Sequence, residues 1–225
     1  ILIDTISGSI VIGATQVINA GGDGIVVINS DGDFSFGQTL IEQTGQDGIR
    51  LDGASGELSF GDISLLDIGA TGINFEGFSG SFNASRLDVD GARTAIDLTR
   101  AAGIIQIAQG GVLENFSETG IQFSRSDDLA DSADALFIFG GGSITASGAA
   151  VVLDGIGLDS TRGTYDLTGV ALNGNFRFSP SAGQVGDLYF VAANASGAGD
   201  GSSVSNLASV SAAQARADTG LATTF

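Results

Sequence analysis

Arg50, Asp52, Glu76 and Asp97 are the residues of this sequence whose types and spacing could do chemistry. Asp52 and Glu76 stand 24 residues apart, the interval at which a short phrase returns along the chain. Adjacent turns of such a repeat would hold the two carboxyl groups about 5 Å apart, the spacing of neighbouring strands. A pair separated by about 5 to 5.5 Å can serve a retaining glycosidase, one group as nucleophile and the other as acid and base. Arg50 and Asp97 would flank them. With no His and no Lys in the chain, Arg would be the only cationic side chain able to stabilise charge or act as a base. The plain alternative is that an acidic repeat stacks carboxylates as a matter of course and that Arg50 neutralises them.

A second acidic group, Asp127, Asp128, Asp131 and Asp134, sits between two apolar segments. Its oxygens could collect Ca²⁺, which takes six to eight ligands. The sequence has neither the twelve-residue EF-hand loop nor the Gly-Gly-x-Gly-x-Asp nonapeptide, and solvated loops are often this acidic, so no cofactor is expected and calcium is the only candidate. The run Gly140-Gly141-Gly142 lacks the Lys-Ser/Thr of a phosphate loop. No outward face carries the regular Thr ladder of an ice-binding surface.

Composition narrows the partners. Twenty-six acidic residues against eight basic ones, all Arg, leave a net charge of -18, which repels nucleic acid and anionic membranes. The absence of Cys removes disulfides, thiolate chemistry and Cys-rich zinc sites. No apolar run approaches the roughly 20 residues of a membrane span. Aromatic residues make up only 7% and are nearly all Phe at inward positions, which disfavours a carbohydrate-binding module. The start at Ile1-Leu2-Ile3, without Met or signal peptide, is expected of an internal piece of a longer polypeptide.

The elements that must position these side chains follow from the repeat. The phrase reads Gly24-Ile25-Val26-Val27, Gly48-Ile49-Arg50-Leu51, Gly72-Ile73-Asn74-Phe75, Ala95-Ile96-Asp97-Leu98 and Gly120-Ile121-Gln122-Phe123, with Val151/Leu153 and Phe176/Phe178 continuing it. Two further apolar segments accompany each copy: Ile10/Ile12, Phe34/Phe36, Leu58/Phe60, Phe82/Ala84 and Ile105/Ile107, and then Val17, Ile41, Leu65, Val89 and Leu113. Alternation with small or polar residues makes each a half-buried strand. A single turn cannot bury its inner residues, so turns must stack. The expected fold is all-β, a right-handed parallel β-helix with three strands per coil of about 24 residues and about seven coils.

Polar-Gly pairs at Asp23-Gly24, Asp47-Gly48, Thr71-Gly72 and Thr119-Gly120 predict left-handed corners ahead of the third strand. At Thr94-Ala95 the Gly is missing and the spacing falls to 23, so that corner should close differently. After Phe123 about six extra residues predict an outward loop before strands resume with Leu136/Ile138, Ile144 and Val151/Leu153. Pro180 is expected to end the stack. The chain then divides into 1–180, the coils, and 181–225, a linker, a strand over Asp187–Val191, a Gly/Ser loop and one short helix from about Leu207 to Asp218.

The tail carries a resemblance. Leu188-Tyr189-Phe190-Val191, Ala198-Gly199-Asp200-Gly201-Ser202-Ser203 and Asn206-Leu207-Ala208-Ser209-Val210 with Ala212-Ala213-Gln214-Ala215 resemble the opening of bacterial secreted pectin-lyase-like β-helix domains, with Val204 where an aromatic is usual. The coils resemble that superfamily and large bacterial surface proteins in pattern. The resemblance implies that residues 1–180 finish one solenoid and 187–225 begin another. It also implies an extracellular or cell-surface location. The expected function is structural, a β-solenoid segment serving as adhesin stalk, spacer or assembly unit, stacked end to end on neighbouring segments of the same or an identical chain, with cell-surface polysaccharide as a further partner. The alternative is a polysaccharide lyase or glycosidase acting through Arg50, Asp52, Glu76 and Asp97.

Overall fold

A computed structural model describes residues 1–99, 101–124, 136–154, 164–167, 169–179, 188–189 and 223–224. The expected short helix, the acidic loop with Asp127, Asp128, Asp131 and Asp134, and Pro180 lie outside the described residues. The described chain is a parallel β-solenoid.

Three ladders run along it. The third face stacks Leu2–Asp4, Ile25–Ile28, Ile49–Asp52, Thr71–Glu76, Thr94–Thr99, Thr119–Ser124 and the later halves of Gly142–Asp154 and Val170–Ser179. The first face runs from Ile10–Ile12 through Phe34–Phe36, the starts of Glu57–Ile68 and Ser81–Asp90, Ile104–Ile107 and Leu136–Phe139 to Thr164–Asp166. Between them the second face starts at Thr15–Ile18 and Thr39–Thr44 and continues through the later halves of Glu57–Ile68 and Ser81–Asp90, then Gly111–Phe116. Every pairing in these three ladders is parallel and joins a strand to its equivalent one coil away.

Like residues therefore stack on like. Ile25, Ile49, Ile73, Ile96, Ile121 and Val151 form one fully buried column, and Val27, Leu51, Phe75, Leu98 and Phe123 another. On the first face Phe36 lies flat against Phe60 with centroids 4.6 Å apart, and across the core the Phe82 ring meets Phe75 edge to face at 5.1 Å. Each column takes its neighbours' size into account. Phe78, fully buried at the corner after the third face, is flanked one coil either way by Ala54 and Ala101, so one large ring fills the space that two methyl groups leave.

Corners repeat as faithfully as strands. The turn after the second face holds a left-handed residue at Asn19, Gln43, Asp67, Gly91 and Asn115, and the turn after the third at Thr5, Asn29, Gly53 and Gly77. The expected left-handed glycines ahead of the third strand are a correction: Gly24, Gly48, Gly72 and Gly120 have no positive φ. They are glycine because of close approach. A Cβ on Gly24 would sit 2.7 Å from the Gly48 carbonyl oxygen and 2.7 Å from Ile41 Cγ2, and one on Gly120 would sit 2.5 Å from the Ala150 oxygen.

The shortened interval at Thr94 is absorbed in the corner before it. Thr94 stays in register with Thr71, and Gly91-Ala92-Arg93 spans what Asp67-Ile68-Gly69-Ala70 spans one coil earlier. The Ala70 carbonyl accepts from both the Arg93 and Thr94 N–H groups, at 2.8 and 3.3 Å. A second correction concerns the strand after the insertion. Phe137 and Phe139 are its buried residues, stacked on Ile105 and Ile107, while Leu136 and Ile138 face outward. An alternating strand of four apolar residues, Leu136–Phe139, fits either phase by sequence, and a one-residue slip exchanges its faces.

Ile73→Asp places an unpaired carboxylate in the middle of a sealed column, so a loss above about 4 kcal/mol, enough to prevent folding, is expected. A circular dichroism melt with an unchanged midpoint would refute the column.

Candidate functional site

The third face presents its outward side chains in two columns. One runs Val26, Arg50, Asn74, Asp97 and Gln122, and the next runs Asp4, Ile28, Asp52 and Glu76; Val152 continues the first in register but is buried. The strands bring Arg50, Asp52, Glu76 and Asp97 together on adjacent coils, with Asp52 and Glu76 in direct register. All four are half-buried.

One of the three carboxylates is ion-paired. Arg50 Nη2 donates to Asp52 Oδ2 at 2.6 Å, and each side chain keeps 34% of its surface exposed. A pair so exposed contributes about 0 to 1 kcal/mol. Glu76 and Asp97 are engaged as well. Glycosidase chemistry needs one carboxyl group kept protonated beside a second that is ionised. Here Asp52 is held by a guanidinium.

Asp47, which the sequence marks only as a turn residue, is the more constrained acid. It is 8% exposed. Its Oδ1 accepts the Thr71 N–H at 2.9 Å, its Oδ2 accepts the Asn74 side-chain amide at 2.9 Å, and its own N–H donates to Asp23 Oδ1 at 2.9 Å. Each carboxylate takes the amide of the coil above. The same device recurs where Asp33 Oδ1 accepts the Glu57 N–H at 3.1 Å and where Asp88 Oδ1 accepts the Val112 N–H at 2.8 Å. Asp88 also receives Arg86 through Nε and Nη2, both at 2.8 Å. That hydrogen-bonded carboxylate, with a smaller pull from Asp62, raises the Arg86 guanidinium above its ordinary value against the opposing effect of burial. The sequence signal for these staples is an Asp one repeat before a residue whose N–H needs an acceptor, visible only once the coil register is known.

A groove of about 560 Å³ opens elsewhere, at the corner between the third and first faces, where Asp31, Asp33 and Glu57 lie at one end of a Ser/Gly lining. Backbone stacking accounts for it. A Cβ on Gly56, Gly80 or Gly103 would fall 1.9, 2.1 or 2.0 Å from the carbonyl oxygen of the glycine one coil earlier, so these three positions cannot carry side chains. None of Arg50, Asp52, Glu76 and Asp97 lines the groove.

Among the described residues no group of three or more His, Cys, Asp or Glu side chains converges to hold a metal ion. The calcium candidates Asp127, Asp128, Asp131 and Asp134 are not among those residues. No described helix is long and apolar enough to cross a membrane. Neither a family model nor a curated protein nor a solved structure matches the chain.

Asp47→Ala leaves two donors without their acceptor, one of them the buried Thr71 N–H, and should cost about 1 to 3 kcal/mol. Asp52→Asn should cost under about 1 kcal/mol. Urea unfolding of both variants, with equal losses as the contrary result, checks that the corner acid matters to the fold and the face acid does not.

Proposed function

We propose that the chain is a structural segment of a large bacterial cell-surface or secreted protein, a rigid spacer, adhesin stalk or assembly unit. The observation that carries this reading is where the carboxylates of the candidate region go: Asp23 and Asp47 tie coil to coil, and Asp52 is capped by Arg50. The outward column supports it too, since Val26, Arg50, Asn74, Asp97 and Gln122 change chemical character at each step. Eight third-face strands at about 4.8 Å per step make a rod segment near 34 Å long. In its finer form the reading takes the solenoid as right-handed and pectin-lyase-like, the hand favoured by crossover connections between parallel strands, and the location as extracellular.

End-to-end stacking on a neighbouring solenoid segment belongs to the same reading. Leu2–Asp4, Ile10–Ile12 and Thr15–Ile18 each pair on one side only. The inward Ile10, Ile12 and Val17 are only half-buried there, whereas their equivalents one coil on, Phe34, Phe36 and Ile41, are buried. Such an edge accepts further strands. Static light scattering of the chain over a rising concentration series should show association, and a monodisperse monomer throughout would contradict an accepting end.

The register of Asp52 on Glu76 favours a second reading, a lyase or glycosidase acting on an acidic polysaccharide. Turnover of such a polymer that disappears in Asp52→Asn would establish it and displace the structural reading. No turnover by the unaltered chain is the outcome expected of a scaffold.

A further inference from the structure

Asn173 and Gly174 form the single Asn-Gly dipeptide of the chain, and both residues are exposed. They stand at the bend of Val170–Ser179, where that strand passes from the second face to the third. The ladder breaks at this point. Asn173 pairs with Thr145 and Asn175 with Ala149, so Gly174 has no partner across the ladder while 146–148 bulge from the coil below. Gly174 holds φ at 147°, a conformation that glycine adopts readily and other residues rarely.

We propose that Asn173 is a site of spontaneous covalent modification, in which the Gly174 backbone nitrogen attacks the Asn173 side-chain carbonyl carbon. The bond from Gly174 N to Asn173 Cγ forms and the Cγ–Nδ2 bond breaks. The Gly174 amide proton passes to a solvent base, and Nδ2 departs as ammonia after taking up a proton from water. A five-membered succinimide remains. Water then opens the ring at one of its two carbonyl carbons. Attack at Cγ leaves an ordinary aspartate at position 173, and attack at the main-chain carbonyl carbon leaves an isoaspartyl link, in which the backbone runs through the side-chain carbon. The sequence requires only water, and each product gains one carboxylate.

Three features single out this asparagine. A glycine follows it, so no side chain obstructs the approaching nitrogen. The register skips that nitrogen's residue and its φ lies far from extended strand values, so the backbone there departs from the regular geometry that an intact ladder imposes. Asn74, Asn83 and Asn115 are followed by Phe75, Ala84 and Phe116. Their side-chain amides are engaged with Asp47 at 2.9 Å, Ser81 at 3.1 Å and Asp90 at 2.6 Å.

The isoaspartyl product would change the last described coil. It adds a main-chain atom between Leu172, in register with Ile144, and Phe176, in register with Val151. Little room exists for the displaced backbone, since even a Cβ on Gly174 would come within 2.9 Å of Ala146 Cβ. The modified coil should therefore dock less well on the one below, so that chains of different age differ at this end of the stack.

The test is to hold the folded 225-residue chain at mildly alkaline pH and body temperature and map its peptides by mass spectrometry over time. The expected result is a gain of about 1 Da in the peptide containing Asn173, resolved into aspartyl and isoaspartyl forms, with hydrogen exchange across 170–179 rising as the isoaspartyl form accumulates. Asn173→Gln, checked for an unchanged circular dichroism spectrum, should abolish the gain, because glutamine would have to close a larger and slower ring. Two results would overturn the proposal: no gain in the folded chain over a period that converts a synthetic peptide spanning 170–178, or a gain that maps to Asn74, Asn83 or Asn115 instead.

Discussion

Everything in this molecule depends on the hydrogen-bonded ladder between one coil and the next. A single coil offers a backbone with no internal partner and an inner face too narrow to exclude water, and only its neighbours supply both. The ladder also explains why the columns are so uniform. When Ile25, Ile49, Ile73, Ile96 and Ile121 share one register line, a polar residue at any one of them is sealed by the residues above and below. Order in the sequence is thus a consequence of contact along the axis.

Two residue types serve that ladder in ways that their usual roles would not suggest. Glycine at Gly56, Gly80 and Gly103 is required because carbonyl oxygens of the preceding coil occupy the place of a side chain, and a groove is the by-product. Aspartate at Asp23, Asp47, Asp33 and Asp88 accepts amides where the ladder turns a corner. A strongly acidic chain invites a reading in terms of cations or catalysis. Here several of its carboxylates are structural acceptors.

The fold was legible in the sequence because a stacked repeat writes each contact as an interval. The third-face phrase, the three strands per coil and the adjacency of Asp52 and Glu76 could all be read from spacing alone. Spacing is less informative about phase and about corners. Leu136, Phe137, Ile138 and Phe139 are all apolar, so their sequence did not say which pair points inward, and the coil below settled it through Ile105 and Ile107. Gly24 and its equivalents looked like left-handed corners because glycine serves that purpose as often as it serves close approach. Asp47 was seen as part of a turn, but its partners Thr71 and Asn74 lie in another coil. The contact between Arg50 and Asp52 depends on side-chain rotamers, which no interval encodes.

The direction of the inter-coil hydrogen bonds has a mechanical consequence. They run along the rod, so a pull between its two ends strains the three ladders of a cross-section in tension and opens them there, with no sliding of strand past strand. Coils would peel away from an end one by one, each releasing about 24 residues, roughly 80 Å of extended chain. A rod under 40 Å long would then act as a tether that lengthens in steps and rewinds when the load is removed.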